Sequence, residues 1–240
     1  MNTGAVLGDA WEVYRLLFRR SILVAGVVYL AVAALEVTNG TLAAVLGRLA
    51  GLSGPVLVQG ALVLIVQNVH EGERPLEITE LGRRAGRRFL SLLGASIVYA
   101  FGVVFGLLAL VLPGLLAASR WSLIAPGIML ENRGTFDALD RSRRIVRGQD
   151  TSVGDQTWNV LGVLVLAFLI TDLVPDAVTL GIFRLGASNT EIVVRSIIAT
   201  FAAPYSAHVL SVLYYRLTDP GRPVIDPAVR RWPSVWKGPA

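Results

Sequence analysis

The chain has 240 residues, 54% of them hydrophobic and only 16% charged, with a formal net charge of +5 and a mean hydropathy of +0.61. A soluble globular domain carries about a quarter charged residues, so a large water-soluble domain is excluded and a bilayer is the solvent the composition asks for. With no cysteine, disulfides, thiol catalysis and zinc–cysteine sites are also excluded.

The first twenty residues hold Asp9, Glu12, Arg15, Arg19 and Arg20, and no convincing small-residue cleavage site follows the next apolar run, so a signal peptide is not expected. Leu7, Trp11, Tyr14 and Phe18 share one face of a helix there, with the charges opposite. Apolar runs then predict six spans, at 21–37, 53–69, 90–112, 114–130, 157–174 and 192–214. The third and fourth form one apolar stretch too long for a single crossing. Pro113-Gly114 is the expected break, because proline lacks the donor that continues a helix and glycine permits a tight turn.

Two outer connections, 41–51 and 175–186, read as short helices on the outer face. Three segments, at 7–20, 80–94 and 136–148, each place an arginine-rich amphipathic stretch ahead of a pair of spans. In the third, Asp137 and Asp140 stand one turn before Arg141 and Arg144, Thr135 is placed to cap the helix and Gly148 to end it. The expected fold is therefore an all-α polytopic membrane protein, six transmembrane helices in three hairpins, each hairpin preceded by an Arg-rich interfacial helix. Residues 1–218 form the membrane domain. The Pro-rich residues 219–240 form a tail without fixed structure, where Trp232 and Trp236 beside Arg230, Arg231 and Lys237 can rest on anionic lipid.

Basic residues orient this scheme. With the N-terminus inside, 18 fall in cytoplasmic segments and 2, Arg48 and Arg184, in outer loops. Short loops rich in positive charge resist translocation, so both termini are expected in the cytoplasm. Arginine outnumbers lysine 21 to 1, the bias of a GC-rich coding sequence, which points to the cytoplasmic membrane of a bacterium.

Few residues offer chemistry. Arg120 lies inside the fourth span, where an exposed guanidinium costs roughly 2.5–3.5 kcal/mol or more. The first expectation is a structural anchor that snorkels, bonds carbonyls near Pro113 or reaches Asp172 or Asp176. The sharper one is a contact to substrate or a lipid headgroup. On the last span Ser196, Thr200, Pro204, His208 and Tyr215 form a polar stripe, read first as interhelical packing and second as a path lined by His208. Arg120, Thr200 and His208 are thus the candidate intramembrane polar site, and Glu191 is the expected partner of Arg195. Arg83, Arg84, Arg87, Arg88, Arg141 and Arg144 are the candidate headgroup contacts, against the simpler reading that they only fix topology.

Gly102 and Gly106, four apart, read as helix packing, as do Gln59, Gln67 and Asn68. A metal site at His70, Glu71 and Glu73 is outweighed by an ordinary charged loop, and Asn39-Gly40-Thr41 carries no weight as a glycosylation acceptor in a bacterial chain. Phosphate-loop, dinucleotide, GxSxG and HExxH patterns are missing, and no nucleophile stands paired with a base in the sequence. No catalytic residue, metal or cofactor is expected. The expected partners are membrane lipids, other membrane proteins or a second copy, and not nucleic acid. The expected role is non-enzymatic, in envelope maintenance; the alternative is a small transporter or channel using spans four and six.

Residues 112–148 are the most distinctive. Leu112-Pro113-Gly114, Arg120-Trp121, Pro126, Glu131, Ala138-Leu139, Arg141-Ser142 and Gly148 resemble the stand-alone relatives of the membrane domain attached to some bacterial glycerophosphodiester phosphodiesterases. The closing SVLYYRL at 211–217 is similar to that family's last span. The resemblance implies six spans and no catalytic role, since the phosphodiesterase barrel is missing. The proline-rich tail departs from the pattern.

Overall fold

The structure, a computed structural model, describes residues 2–38, 41–73, 76–150, 152–173, 176–177, 179 and 189–227. These residues are helical, with no strand among them. The order is α1 Thr3–Val37, α2 Thr41–Glu71, α3 Ile78–Arg87, α4 Phe89–Ala109, α5 Val111–Arg120, α6 Ile124–Leu130, α7 Thr135–Val146, α8 Thr157–Phe168 continued by a π-helical turn Leu169–Leu173, and α9 Asn189–Thr218.

The N-terminal amphipathic segment and the first span are one helix, not two. At about 1.5 Å per residue α1 is roughly 52 Å long, well beyond a hydrocarbon layer of about 30 Å. Its buried face is Val6, Ala10, Val13, Tyr14, Leu17, Ser21 and Val24, spaced three and four apart as a helix requires. Trp11 and Phe18, which share the apolar face read from the sequence, stand 52% and 40% exposed beside the buried residues. The buried face meets α9 and α2. Two phenols tie α1 to α9 in opposite directions: Tyr14 donates to the Phe201 carbonyl (2.9 Å) and Tyr205 to the Leu7 carbonyl (3.2 Å). The expected separate outer helix at 41–51 is likewise the first part of an unbroken α2. There Gly47 packs against the Glu36 backbone, where a Cβ would stand 3.0 Å away.

The α4–α5 hairpin turns at Leu110, whose extended backbone (φ −164°, ψ 145°) separates the helices. The expected break at Pro113 is corrected. Pro113 lies in the first turn of α5, where a helix has no use for its missing N–H. Gly114 is instead a packing residue: a Cβ on Gly106 would lie 2.8 Å from the Gly114 backbone. A Cβ on Gly102 would strike the Trp121 ring at 2.1 Å, so this glycine pair lets α4 and α5 close on each other. Span four is itself broken, since α5 ends at Arg120 and α6 begins at Ile124.

Among the described residues five helical stretches are long and apolar enough to cross a bilayer: 3–37, 45–71, 89–109, 111–130 (α5 with α6) and 190–218. Thr157–Leu173 is apolar but shorter. Leu90, Phe101, Phe105 and Leu108 of α4 stand 59–79% exposed. A patch of that size faces lipid or a partner rather than water. The chain is a multi-pass membrane protein. Pro204 lies inside an unbroken α9.

Residues 219–227, part of the stretch expected to lack fixed structure, pack against the helices. Val224 and Ile225 are buried, Asp226 N–H donates to the Val69 carbonyl (3.2 Å), and the Arg222 guanidinium donates to the His70 carbonyl (2.8 Å). His70 stacks on Tyr215 with centroids 3.8 Å apart and bonds the Val224 carbonyl through Nδ1 (3.1 Å). Two apolar side chains supply the burial that proline content alone hides. The expectations for Arg74, Arg184, most of 175–186, Asn39-Gly40, Trp232, Trp236, Arg230, Arg231 and Lys237 lie outside the described residues.

Candidate functional site

The break in span four is held by the helix that follows it. Thr135, expected to cap α7, is its first helical residue; its hydroxyl donates to the Ser91 carbonyl (3.1 Å) and fixes α7 to α4. Along α7, Ala138, Leu139, Ser142, Ile145 and Val146 are buried. Ser142, 1% exposed, donates to the Arg120 carbonyl (2.8 Å) and accepts from the Leu123 N–H (3.0 Å). Those are backbone groups that a helix break leaves without intrahelical partners. One hydroxyl thus replaces the missing turn.

Gly148 ends α7 as expected from its sequence position. Its φ of +70° is costly for a side-chain-bearing residue. Its N–H donates to the Ile145 carbonyl (3.0 Å), while Gln149 N–H donates to that of Arg144 (3.0 Å), the double bond of a glycine C-cap.

Beside this clamp is a charged knot centred on Glu131. Its Oε1 accepts from the Tyr214 hydroxyl (2.6 Å) and from Arg141 Nε (2.9 Å), and its Oε2 from Arg133 Nε (2.5 Å). Arg141 Nη1 reaches Asp150 (2.6 Å), which also accepts from Arg144 Nε (2.9 Å); Arg144 in turn pairs with Asp140. The expected Asp140–Arg144 pair forms, but Arg141 turns to Glu131 and Asp150 instead of Asp137. Burial pushes the Glu131 carboxyl up, yet the bonds from Tyr214, Arg141 and Arg133 outweigh it and hold it below the usual carboxylate range. Arg144 does the same for Asp150. The knot joins the end of α6, helix α7 and the end of α9. The Glu131 carboxylate thereby ties these segments together.

Arg120 sits against α7, whose Ser142 bonds its carbonyl, and not beside Asp172 or Asp176. The charges acting on it belong to Arg147, Asp155 and Arg143, all on the α7–α8 side. Asp176 pairs with Arg195 (3.2 Å), the partner expected to be Glu191, and Asp172 accepts from the Thr171 hydroxyl (2.6 Å).

The three residues of the candidate intramembrane site do not come together. The stripe on α9 faces α1: Thr200 donates to the Ser196 carbonyl (2.8 Å) and packs where a Cβ on Gly26 would touch it, and His208 Nε2 lies 2.9 Å from Ser21 Oγ. That serine–imidazole pair is one the sequence did not disclose, since 187 residues separate its members. Both side chains are fully buried, and His208 Nδ1 has no hydrogen-bond partner among the described residues. A catalytic pair of this kind also needs its base oriented by a third group, and none is found on His208 Nδ1 among the described residues.

A cavity of about 400 Å³ does lie between α4, α5, α8 and α9, but its lining is mainly apolar, with Val103, Leu115, Val209 and Leu210, and it includes Asp172. A smaller one of about 220 Å³ joins Tyr29, Gln59, Asp172 and Ser206. Sequence spacing gave no signal for either, because each draws on helices far apart in the chain.

Among the headgroup candidates, Arg83 and Arg84 share Glu80, Arg84 at 2.8 Å, and both remain more than half exposed. Arg87 is exposed and Arg88 half-buried. Leu81 and Ala85, on the opposite face of α3, are buried. Arg141 and Arg144 are committed to the knot. No group of three potential metal-ligating side chains occurs among the described residues.

No family model matches the chain, and no solved structure matches it. Over 146 residues it is 27% identical to a UPF0259 membrane protein of Pectobacterium carotovorum subsp. carotovorum (strain PC1). That alignment covers 60% of this chain and 58% of the relative, so the chain spans less than two thirds of the protein it is similar to. The likeness is to a bacterial membrane protein.

Proposed function

We propose that the chain is a six-span, non-enzymatic protein of the bacterial cytoplasmic membrane, with both termini inside, that contacts anionic lipid through its inner arginines in envelope maintenance. The observation that carries this reading is α3. Its Leu81 and Ala85 are buried against the bundle while Arg83, Arg84 and Arg87 stand free of it. A helix laid out this way suits a membrane surface, where each basic residue contributes on the order of 1 kcal/mol with anionic lipid. In this reading residues 1–218 form the membrane domain, Thr157–Leu173 makes the fifth crossing, and α3 and α7 lie at the inner interface. The kinship with phosphodiesterase-linked membrane domains belongs here too. It is supported by residues 112–148, whose Arg120, Glu131, Arg141, Ser142 and Gly148 make one connected unit. The membrane relative likewise carries no enzymatic name.

The test is lipid retention. The protein, purified in an uncharged detergent and placed in nanodiscs of phosphatidylglycerol or phosphatidylcholine, is compared with the variant in which Arg83, Arg84, Arg87 and Arg88 are all Gln. A preference for phosphatidylglycerol that falls in the variant supports the reading; an equal preference in both removes it. A transporter is the second reading, favoured by the cavity of about 400 Å³ beside Asp172. A cysteine at Ser206 that reacts with a membrane-impermeant maleimide would support it.

A further inference from the structure

The arginines of α7 divide into two sets. Arg141 and Arg144 are neutralised by Glu131, Asp150 and Asp140. Arg143 and Arg147, also one turn apart, form no ion pair within 4 Å among the described residues, and neither does Arg120. Arg120 lies within electrostatic reach of both Arg143, which is exposed, and Arg147, which is half-buried. Ser142, next to Arg143, is bonded to the Arg120 carbonyl. The Val146 carbonyl, next to Arg147, accepts from the Gln156 N–H (2.8 Å), which brings Asp155 alongside. The nearby carboxylate is Asp155, and its Oδ1 is already occupied by the Thr157 N–H (2.9 Å) and hydroxyl (2.6 Å). Three guanidiniums against one engaged carboxylate leave two uncompensated positive charges. Arg120 Nε, moreover, is buried with no hydrogen-bond partner among the described residues.

Like charges one turn apart destabilise a helix, and a buried donor left unbonded is costly. An anion held there would relieve both. Guanidinium donors match phosphate oxygens in pairs. We propose that Arg120, Arg143 and Arg147 form a binding site for a phosphate-bearing anion at the break of span four. The net positive field selects a net-negative ligand, so an anionic headgroup such as phosphatidylglycerol fits and a zwitterionic choline headgroup does not. The site rests on the inner-face reading above only for the source of the phosphate, lipid or solute.

Native mass spectrometry of the full chain in an uncharged detergent tests this, with dioleoyl phosphatidylglycerol, dioleoyl phosphatidylcholine and millimolar inorganic phosphate as probes. Arg143→Gln/Arg147→Gln is the chief variant, because neither side chain has a structural ion pair to lose; Arg120→Gln is the second. The expected result is a fall of about tenfold or more in phosphatidylglycerol retention in the double variant, each arginine near a membrane surface giving on the order of a fivefold preference. Phosphatidylcholine should bind weakly to both proteins. Displacement of the lipid by inorganic phosphate assigns the site to a solute; persistence of the lipid assigns it to a headgroup. Retention unchanged in the double variant, or phosphatidylcholine held as firmly as phosphatidylglycerol, overturns the proposal. Arg87→Gln/Arg88→Gln separates the two readings: a loss confined to that pair keeps the α3 surface and removes this site.

Discussion

Replacing Ser142 by alanine removes one oxygen and almost no volume, yet it strips partners from two backbone groups at once. The Arg120 carbonyl loses its donor at 2.8 Å and the Leu123 N–H its acceptor at 3.0 Å. Ser142 is 1% exposed, so water does not readily take over. A buried polar group left unsatisfied costs about 1–3 kcal/mol; taking the lower half of that range for each of the two groups places Ser142→Ala at about 2–4 kcal/mol. For a chain of this size each 1 kcal/mol moves the midpoint by about 2–4 °C, so a drop of roughly 5–15 °C is expected. Thermal unfolding in detergent, followed by tryptophan fluorescence, reads it. Ser211→Ala is the internal comparison: Ser211 is fully buried, but its hydroxyl only adds a bond (2.9 Å) to the Ala207 carbonyl within its own helix. It should cost well under half as much. Equal losses in the two variants would refute the argument that Ser142 substitutes for the missing turn.

Gly102→Ala puts a methyl 2.1 Å from the Trp121 ring and should destabilise by about 1–3 kcal/mol, as overpacked cores do; combining it with Trp121→Leu should return part of the loss, seen as non-additivity in the same melts. Tyr214→Phe removes a 2.6 Å bond to a carboxylate, for which about 1.5–3 kcal/mol is expected. The knot also predicts a pH dependence. Because Glu131 and Asp150 are held below their ordinary range when folded, their stabilisation is complete above the unfolded values near 4. It is lost as pH falls through the lower folded values. Melting points taken from pH 7 down to 3 should show a steep acid limb that Glu131→Gln flattens.

Much of the fold was legible because hydropathy and helix length report directly on a bilayer. Apolar runs located the core of each long helix among the described residues, though not the full length of α1 and α2, and the GVVFG spacing announced a close helix contact, which α5 supplies. Local rules failed where a competing partner lay further off. The one-turn rule assigned Asp137 to Arg141, but a carboxylate ten residues away, Glu131, wins because Tyr214 and Arg133 fix it in place. Pro113 announced a break that falls three residues earlier, since a proline is harmless in a first turn. Arg120 was visible as an anomaly, but its neighbours were not, because α7 folds back onto the break. The polar stripe on α9 was legible as a face; that it meets α1 rather than the fourth span depends on long-range packing.

A sixth crossing requires Thr157–Leu173 to traverse the membrane. At 17 residues it spans about 25 Å, a few Å short of an average hydrocarbon layer, a mismatch that local thinning accommodates. Reporter fusions that are active on only one side of the membrane, placed after Gly148 and after Gly186, decide it. Opposite compartments, with Gly148 cytoplasmic, are predicted; the same compartment for both would contradict six crossings and the inner-face placement of the arginines.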